Sequence, residues 1–111
     1  MMAYNATFTE GAIGTEQATA TSGWLLLEFG TNWCSHCMTA QWALKRALKD
    51  YPDLHHIKEE DGPGRKLGRY FHVKLWPTFI LLRDGTEVAR LVRPTTEVAI
   101  RGMLEIIKAD T

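Results

Sequence analysis

The chain predicts an α/β fold, a three-layer sandwich in which a central mixed sheet of four to five strands is flanked by helices on both faces. Three observations carry this. Two short runs, Trp24-Leu25-Leu26-Leu27-Glu28-Phe29 and Pro77-Thr78-Phe79-Ile80-Leu81-Leu82, are almost wholly apolar, as strands covered on both faces are. Two longer segments place apolar residues at helical spacing: Ala40, Leu44, Ala47, Leu48 and Tyr51 in one, Ile100, Met103, Leu104 and Ile107 in the other. Between the second apolar run and the β-like run Thr86 to Val92 stands Asp84-Gly85, a tight-turn signal that predicts an antiparallel hairpin.

The elements follow in order. Tyr4, Thr7 and Phe8 favour β structure, so Tyr4 to Glu10 predicts a short edge strand. Gly11 to Ser22 holds one helix-favouring cluster, Glu16-Gln17-Ala18, and predicts a short, poorly anchored helix. The strand at Trp24 to Phe29 ends at Gly30-Thr31-Asn32. A helix then runs from Trp33 to Tyr51, with Lys45, Arg46 and Lys49 facing water and Pro52 stopping it. Asp53 to Glu60 reads as a strand, Asp61-Gly62-Pro63-Gly64 as a turn, and Arg65 to His72 as a short helix burying Leu67 and Phe71. After the hairpin, Pro94-Thr95-Thr96-Glu97 starts the last helix with a capping threonine and an acid in its first turn.

The 111 residues suit one domain, 1–111, with 45% hydrophobic residues to fill one core. Lys plus Arg and Asp plus Glu number 13 each, so no net field steers the chain toward nucleic acid or anionic membrane, and neither partner is expected. The run Trp24 to Leu27 is far short of the roughly 20 apolar residues of a membrane span. Met1 to Gly23 lacks the basic and apolar regions of a signal peptide, so a cytoplasmic location is expected, or a periplasmic or secreted one if a leader has been removed. A monomer is expected.

The two cysteines, Cys34 and Cys37, sit in Trp33-Cys34-Ser35-His36-Cys37, after an apolar strand and at the opening of a helix. Zinc usually takes four ligands, and a second C-x-x-C or H-x-x-x-H is absent from the sequence. The loop the cysteines would close is too small to staple a fold. A helix N-terminus carries partial positive charge and free N–H groups that stabilise thiolate over thiol, which makes Cys34 the expected nucleophile. His55 and His56 are adjacent on a strand and so point to opposite faces, which argues against a shared metal.

A strand, W-C-x-x-C opening a helix, a downstream Pro-Thr beginning an apolar strand, then Asp-Gly and a terminal helix: in this order the parts resemble the thioredoxin family, over about residues 24 to 108 and only faintly over 1–23. The resemblance implies the thioredoxin fold and dithiol-disulfide exchange on protein or peptide disulfides. Cys34 would attack and Cys37 would resolve the mixed disulfide. It implies no cofactor beyond the Cys34–Cys37 disulfide, and an electron donor that is a reductase or a low-molecular-weight thiol. Pro77 matches the family's cis-proline, whose loop would turn Trp76 backbone groups toward substrate; the plainer alternative is a proline opening an edge strand. Glu28 stands where the family often has a buried aspartate that accepts the proton of the second cysteine. A carboxylate in an apolar strand bears a desolvation cost that suits it to take that proton. Lys58 is its expected partner, and the alternative is a Glu28 that faces solvent at the strand end.

Ser35-His36 replaces the Gly-Pro of thioredoxins proper and looks like the His-Cys ending of disulfide isomerases and periplasmic oxidases. His36 is expected to stabilise the Cys34 thiolate and so raise the potential, or else to be a solvated helix residue. A cytoplasmic location argues for reduction, and a reductant is the expectation. Trp33 and Trp76 would rim the site for a loosely bound polypeptide, or else serve the core; Met38 and Trp42, at i and i+4, would extend that rim or pack against the third helix. Arg93, where the family tends to have glycine, would narrow the groove or contact acidic substrates. Two rivals use the same residues: a non-catalytic peptide-binding module, and a soft-metal protein holding copper(I) or zinc on Cys34, Cys37 and His36.

Overall fold

The computed structural model describes residues 4–110. Its elements are α1 (Thr15–Ala20), β1 (Trp24–Gly30), α2 (Ser35–Leu48), β2 (His55–Glu60), α3 (Lys66–Tyr70), β3 (Thr78–Arg83), β4 (Thr86–Val92) and α4 (Glu97–Ala109). The strands form one mixed sheet in the order β2-β1-β3-β4. β1 runs parallel to β2 and antiparallel to β3, and β3 and β4 make the hairpin. Asp84 (φ +50°) and Gly85 (φ +81°) both lie in the left-handed region, the conformation of a primed hairpin turn.

The apolar runs are apolar because the sheet is covered twice. Alternate residues of β1 and β3 face opposite sides, so Leu26, Phe79 and Leu81 pack with Ala40, Leu44, Leu48, Ile100 and Leu104 of α2 and α4. Leu25, Leu27, Phe29, Ile80 and Leu82 pack with Ala18, Leu67 and Phe71 on the other face. Burial of each such side chain contributes roughly 1.5–3 kcal/mol, and this fixes the register of β1 between β2 and β3. The register has one consequence for the site: Glu28 lies on the α2 side, level with Lys58, and one step from the pair Leu26 and His56.

Three expectations change. The segment from Tyr4 to Glu10 contributes only a single parallel bridge, Thr9 with Glu59, leaving four strands. Thr9 alone pairs with β2, its N–H donating to the Lys58 carbonyl and its carbonyl accepting from Glu60 N–H, each at 3.0 Å; Asn5 N–H goes to His56 Nδ1 and Phe8 N–H to Asn32 Oδ1, both at 2.9 Å, so the pairing does not extend into a ladder. The first helix is short but anchored, with Ala18 fully buried against Leu25 and Leu82. α2 begins at Ser35 and not at Trp33, with Cys34 as its N-cap.

Candidate active site

Both cysteines are free thiols, 8% and 1% exposed for Cys34 and Cys37. Cys34 is in extended conformation, and its Sγ accepts the Cys37 backbone N–H at 3.3 Å, the role a serine or aspartate oxygen plays at other N-caps. The nucleophilic sulfur thus sits on the open N–H groups of α2. Cys37, one turn in, faces the sheet. Gly30 is what lets it approach: a Cβ there would lie 2.5 Å from Cys37 Sγ and 2.9 Å from Phe8. Burial pushes the Cys37 thiol up to about 12, reinforced by its hydrogen bond with Cys34 and by nearby Cys34 and Glu28, against a lowering contribution from the Thr31 backbone.

Behind Cys37 lies a buried polar cluster. Glu28, with no exposed surface, accepts from His56 Nε2 on Oε1 at 2.9 Å and from Gln41 Nε2 on Oε2 at 2.7 Å. Gln41 Nε2 also donates to the Cys37 carbonyl at 2.8 Å, which ties the acid to the helix turn that carries the thiol. Gln41 Oε1 accepts from Lys58 Nζ and from the Tyr4 hydroxyl, each at 2.8 Å. Lys58 also donates to the Ala6 carbonyl at 3.1 Å and lies 4.3 Å from the Phe8 ring centroid. Burial lowers the Lys58 pKa, opposed by the negative charges of Glu28 and Cys37. Glu28 therefore does not face solvent, and its direct partners are His56 and Gln41; Lys58 reaches it through Gln41.

On the open side, the Trp76–Pro77 peptide is cis. Trp76 packs partly buried against Phe8 and the two cysteines, and its indole N–H donates to Asp61 Oδ2 at 2.8 Å. Trp33, 75% exposed, meets it edge-on at 5.8 Å between ring centroids. Met38 and Trp42 on α2 are 60% and 72% exposed. His36 is exposed in the first turn of α2. Arg93 takes a left-handed conformation (φ +49°), donates its N–H to the Pro77 carbonyl at 2.8 Å, and lays Nε on the Trp76 carbonyl at 2.8 Å. The expected free carbonyl is thus already occupied.

The structure brings Cys34, Cys37, Glu28, Trp33, Trp76, Pro77 and Arg93 to one end of β1 and β3. Sequence reasoning missed His56, Gln41, Tyr4 and Asp61. His56 and Lys58 alternate onto one face of β2, and that period was the available signal for His56; the other three carry none that singles them out. Among the described residues, no group of three or more His, Cys, Asp or Glu is placed to hold a metal, and no helix is long and apolar enough to cross a membrane.

Known proteins agree with this architecture. The solved structure of thioredoxin 2 from Pseudomonas aeruginosa PAO1 in its reduced form is 44% identical, with a TM-score of 0.85 over 97% of this chain and 100% of that one. The thioredoxin of Chlamydia pneumoniae is 32% identical over 71 residues, which are 64% of this chain and 70% of that protein. Mitochondrial thioredoxin-3 of Saccharomyces cerevisiae is 23% identical over 74% of this chain. The matched region spans 65% of the yeast protein and 49% of rice thioredoxin H2-1, so the chain covers about half to two thirds of those relatives. A family model described as Thioredoxin matches residues 12–105, and the chain belongs to the thioredoxin family.

Proposed function

We propose that this protein is a thiol-disulfide oxidoreductase that reduces protein or peptide disulfides. The observation that carries the reading is the Cys34/Cys37 dithiol at the start of α2, with one sulfur on the helix N-terminus and the other buried within electrostatic reach of the buried Glu28. Cys34, as thiolate, attacks one sulfur of the substrate disulfide; a Cys34–substrate bond forms and a substrate thiolate leaves. Cys37 gives its proton to Glu28, and its thiolate attacks Cys34 Sγ. The Cys34–Cys37 bond forms, the second substrate thiolate leaves, and the substrate has gained the two electrons the dithiol lost. The high Cys37 pKa supports the need for an acceptor, because little thiolate forms there at neutral pH unaided.

Trp33, Trp76 and Pro77 form the substrate-binding edge in this reading, with Arg93 over it. His36 stabilises the Cys34 thiolate from the solvent side. The redox group is the Cys34–Cys37 disulfide itself, and a reductase or low-molecular-weight thiol recharges it. Reduction of insulin disulfides by thiol-recharged protein tests the reading. Wild type turns over; Cys34→Ser is inactive and forms no adduct; Cys37→Ser accumulates a mixed disulfide on Cys34. Turnover that survives Cys34→Ser contradicts the assignment.

A further inference from the structure

His56 is buried, is bonded to the acid at the centre of the proposed mechanism, and has no part in the steps above. Its chemistry is fixed by geometry. The Asn5 backbone N–H points at His56 Nδ1 from 2.9 Å, and an amide nitrogen can only donate. Nδ1 therefore carries the lone pair, the ring proton is on Nε2, and Nε2–H donates to Glu28 Oε1 at 2.9 Å. Gln41 is oriented just as firmly. Its oxygen faces two donors, Lys58 and Tyr4, so its NH₂ must be what meets Glu28 Oε2. Each carboxylate oxygen thus receives a donor and keeps a second lone pair for an incoming proton.

We propose that His56 is a positioning residue for the exchange reaction: as the Nε2–H tautomer, selected by the Asn5 amide, it holds the Glu28 carboxylate oriented to take the Cys37 proton. This rests on the reading of Glu28 as the acceptor. The His56 donor fixes Oε1, and the 2.7 Å bond from Gln41, itself bonded to the Cys37 carbonyl, fixes Oε2 relative to the helix turn that carries the thiol. The segment Tyr4 to Phe8 thereby gains a purpose that its missing strand structure does not suggest: it supplies the amide that fixes the ring and the hydroxyl that fixes Gln41. Other titratable groups around the pair are Tyr4, whose ring lies 5.8 Å from the imidazole, Lys58 through Gln41, Cys37, and Asp53 and His55 in the cavity that His56 also lines.

The test follows the resolving step by tryptophan fluorescence in single-turnover mixing of reduced protein with a peptide disulfide, across pH 5 to 9. His56→Asn keeps an oxygen for the Asn5 amide and loses the donor to Glu28; His56→Gln restores a donor at that reach. Loss of a hydrogen bond to a charged group predicts that His56→Asn slows the step about tenfold near neutrality and moves the rising limb of the profile to higher pH. His56→Gln stays within about threefold of wild type, and adding His56→Asn to Glu28→Gln slows it no further, since the two residues act as one unit. A His56→Asn profile equal to wild type, a His56→Gln as slow as His56→Asn, or a full additional loss in the double variant overturns the role of His56 while leaving Glu28 as acceptor. A Glu28→Gln that resolves at the wild-type rate overturns both.

Discussion

Arg93 shows how one residue can reset a binding edge. Its strained left-handed backbone is held by the Pro77 carbonyl, and the same side chain covers the Trp76 carbonyl at 2.8 Å, an acceptor that an extended substrate would otherwise use. A substrate strand must displace that guanidinium, share the carbonyl with it through the second lone pair, or bind without the carbonyl. One neutral backbone bond is worth about 1 kcal/mol net, or about fivefold. Arg93→Ala is therefore expected to lower KM for a peptide disulfide about fivefold at unchanged kcat, measured by steady-state reduction; a raised KM would instead assign Arg93 to direct contact with substrate. Of the residues at this scale, those that break a pattern were legible in the sequence. Glu28 interrupts an apolar run, Cys34 and Cys37 open a helix, and Arg93 replaces a family glycine. His56 and Gln41 break nothing, because a polar residue on a strand or helix face is ordinary until the register reveals that it points inward.

At the scale of elements, the reading succeeded where burial imposes a period and failed where side chains compete with the backbone. β1, β3, α2 and α4 are doubly or broadly buried, and their apolar spacing names them. Tyr4 to Glu10 has β-favouring residues but spends the Asn5 and Phe8 amides on His56 and Asn32, a competition that residue preference does not encode. α1 was underrated because the single buried Ala18 does the anchoring, and one alanine leaves no periodic trace. Caps were readable. Thr96 Oγ1 accepts the Ala99 N–H at 3.1 Å as the expected N-cap of α4, whose Ile100, Met103 and Leu104 complete the core on the α2 face. Thr96→Ala is expected to cost about 1 kcal/mol in urea denaturation with no loss of disulfide reduction, since α4 lies away from the dithiol. A change in kcat without a change in stability would contradict that separation.

For the whole molecule, the fold does one thing with the site: it separates the two sulfurs by environment. Cys34 stands where the helix N-terminus and the tryptophan rim meet solvent, while Cys37 is sealed beneath Phe8 and Gly30 against a polar cluster that has no exposed carboxylate. The balanced charge, 13 basic against 13 acidic side chains, leaves recognition to that rim and not to long-range attraction. The central claim is that this pair cycles between dithiol and disulfide, and its equilibrium with graded glutathione buffers, read by the fluorescence of Trp33 and Trp76, tests it most directly. The account predicts a single two-electron transition, absent in Cys37→Ser, with a midpoint below the cytosolic glutathione poise of roughly −220 to −260 mV. A midpoint well above that range would contradict the reducing direction, and the absence of any two-electron transition would contradict the catalytic reading itself.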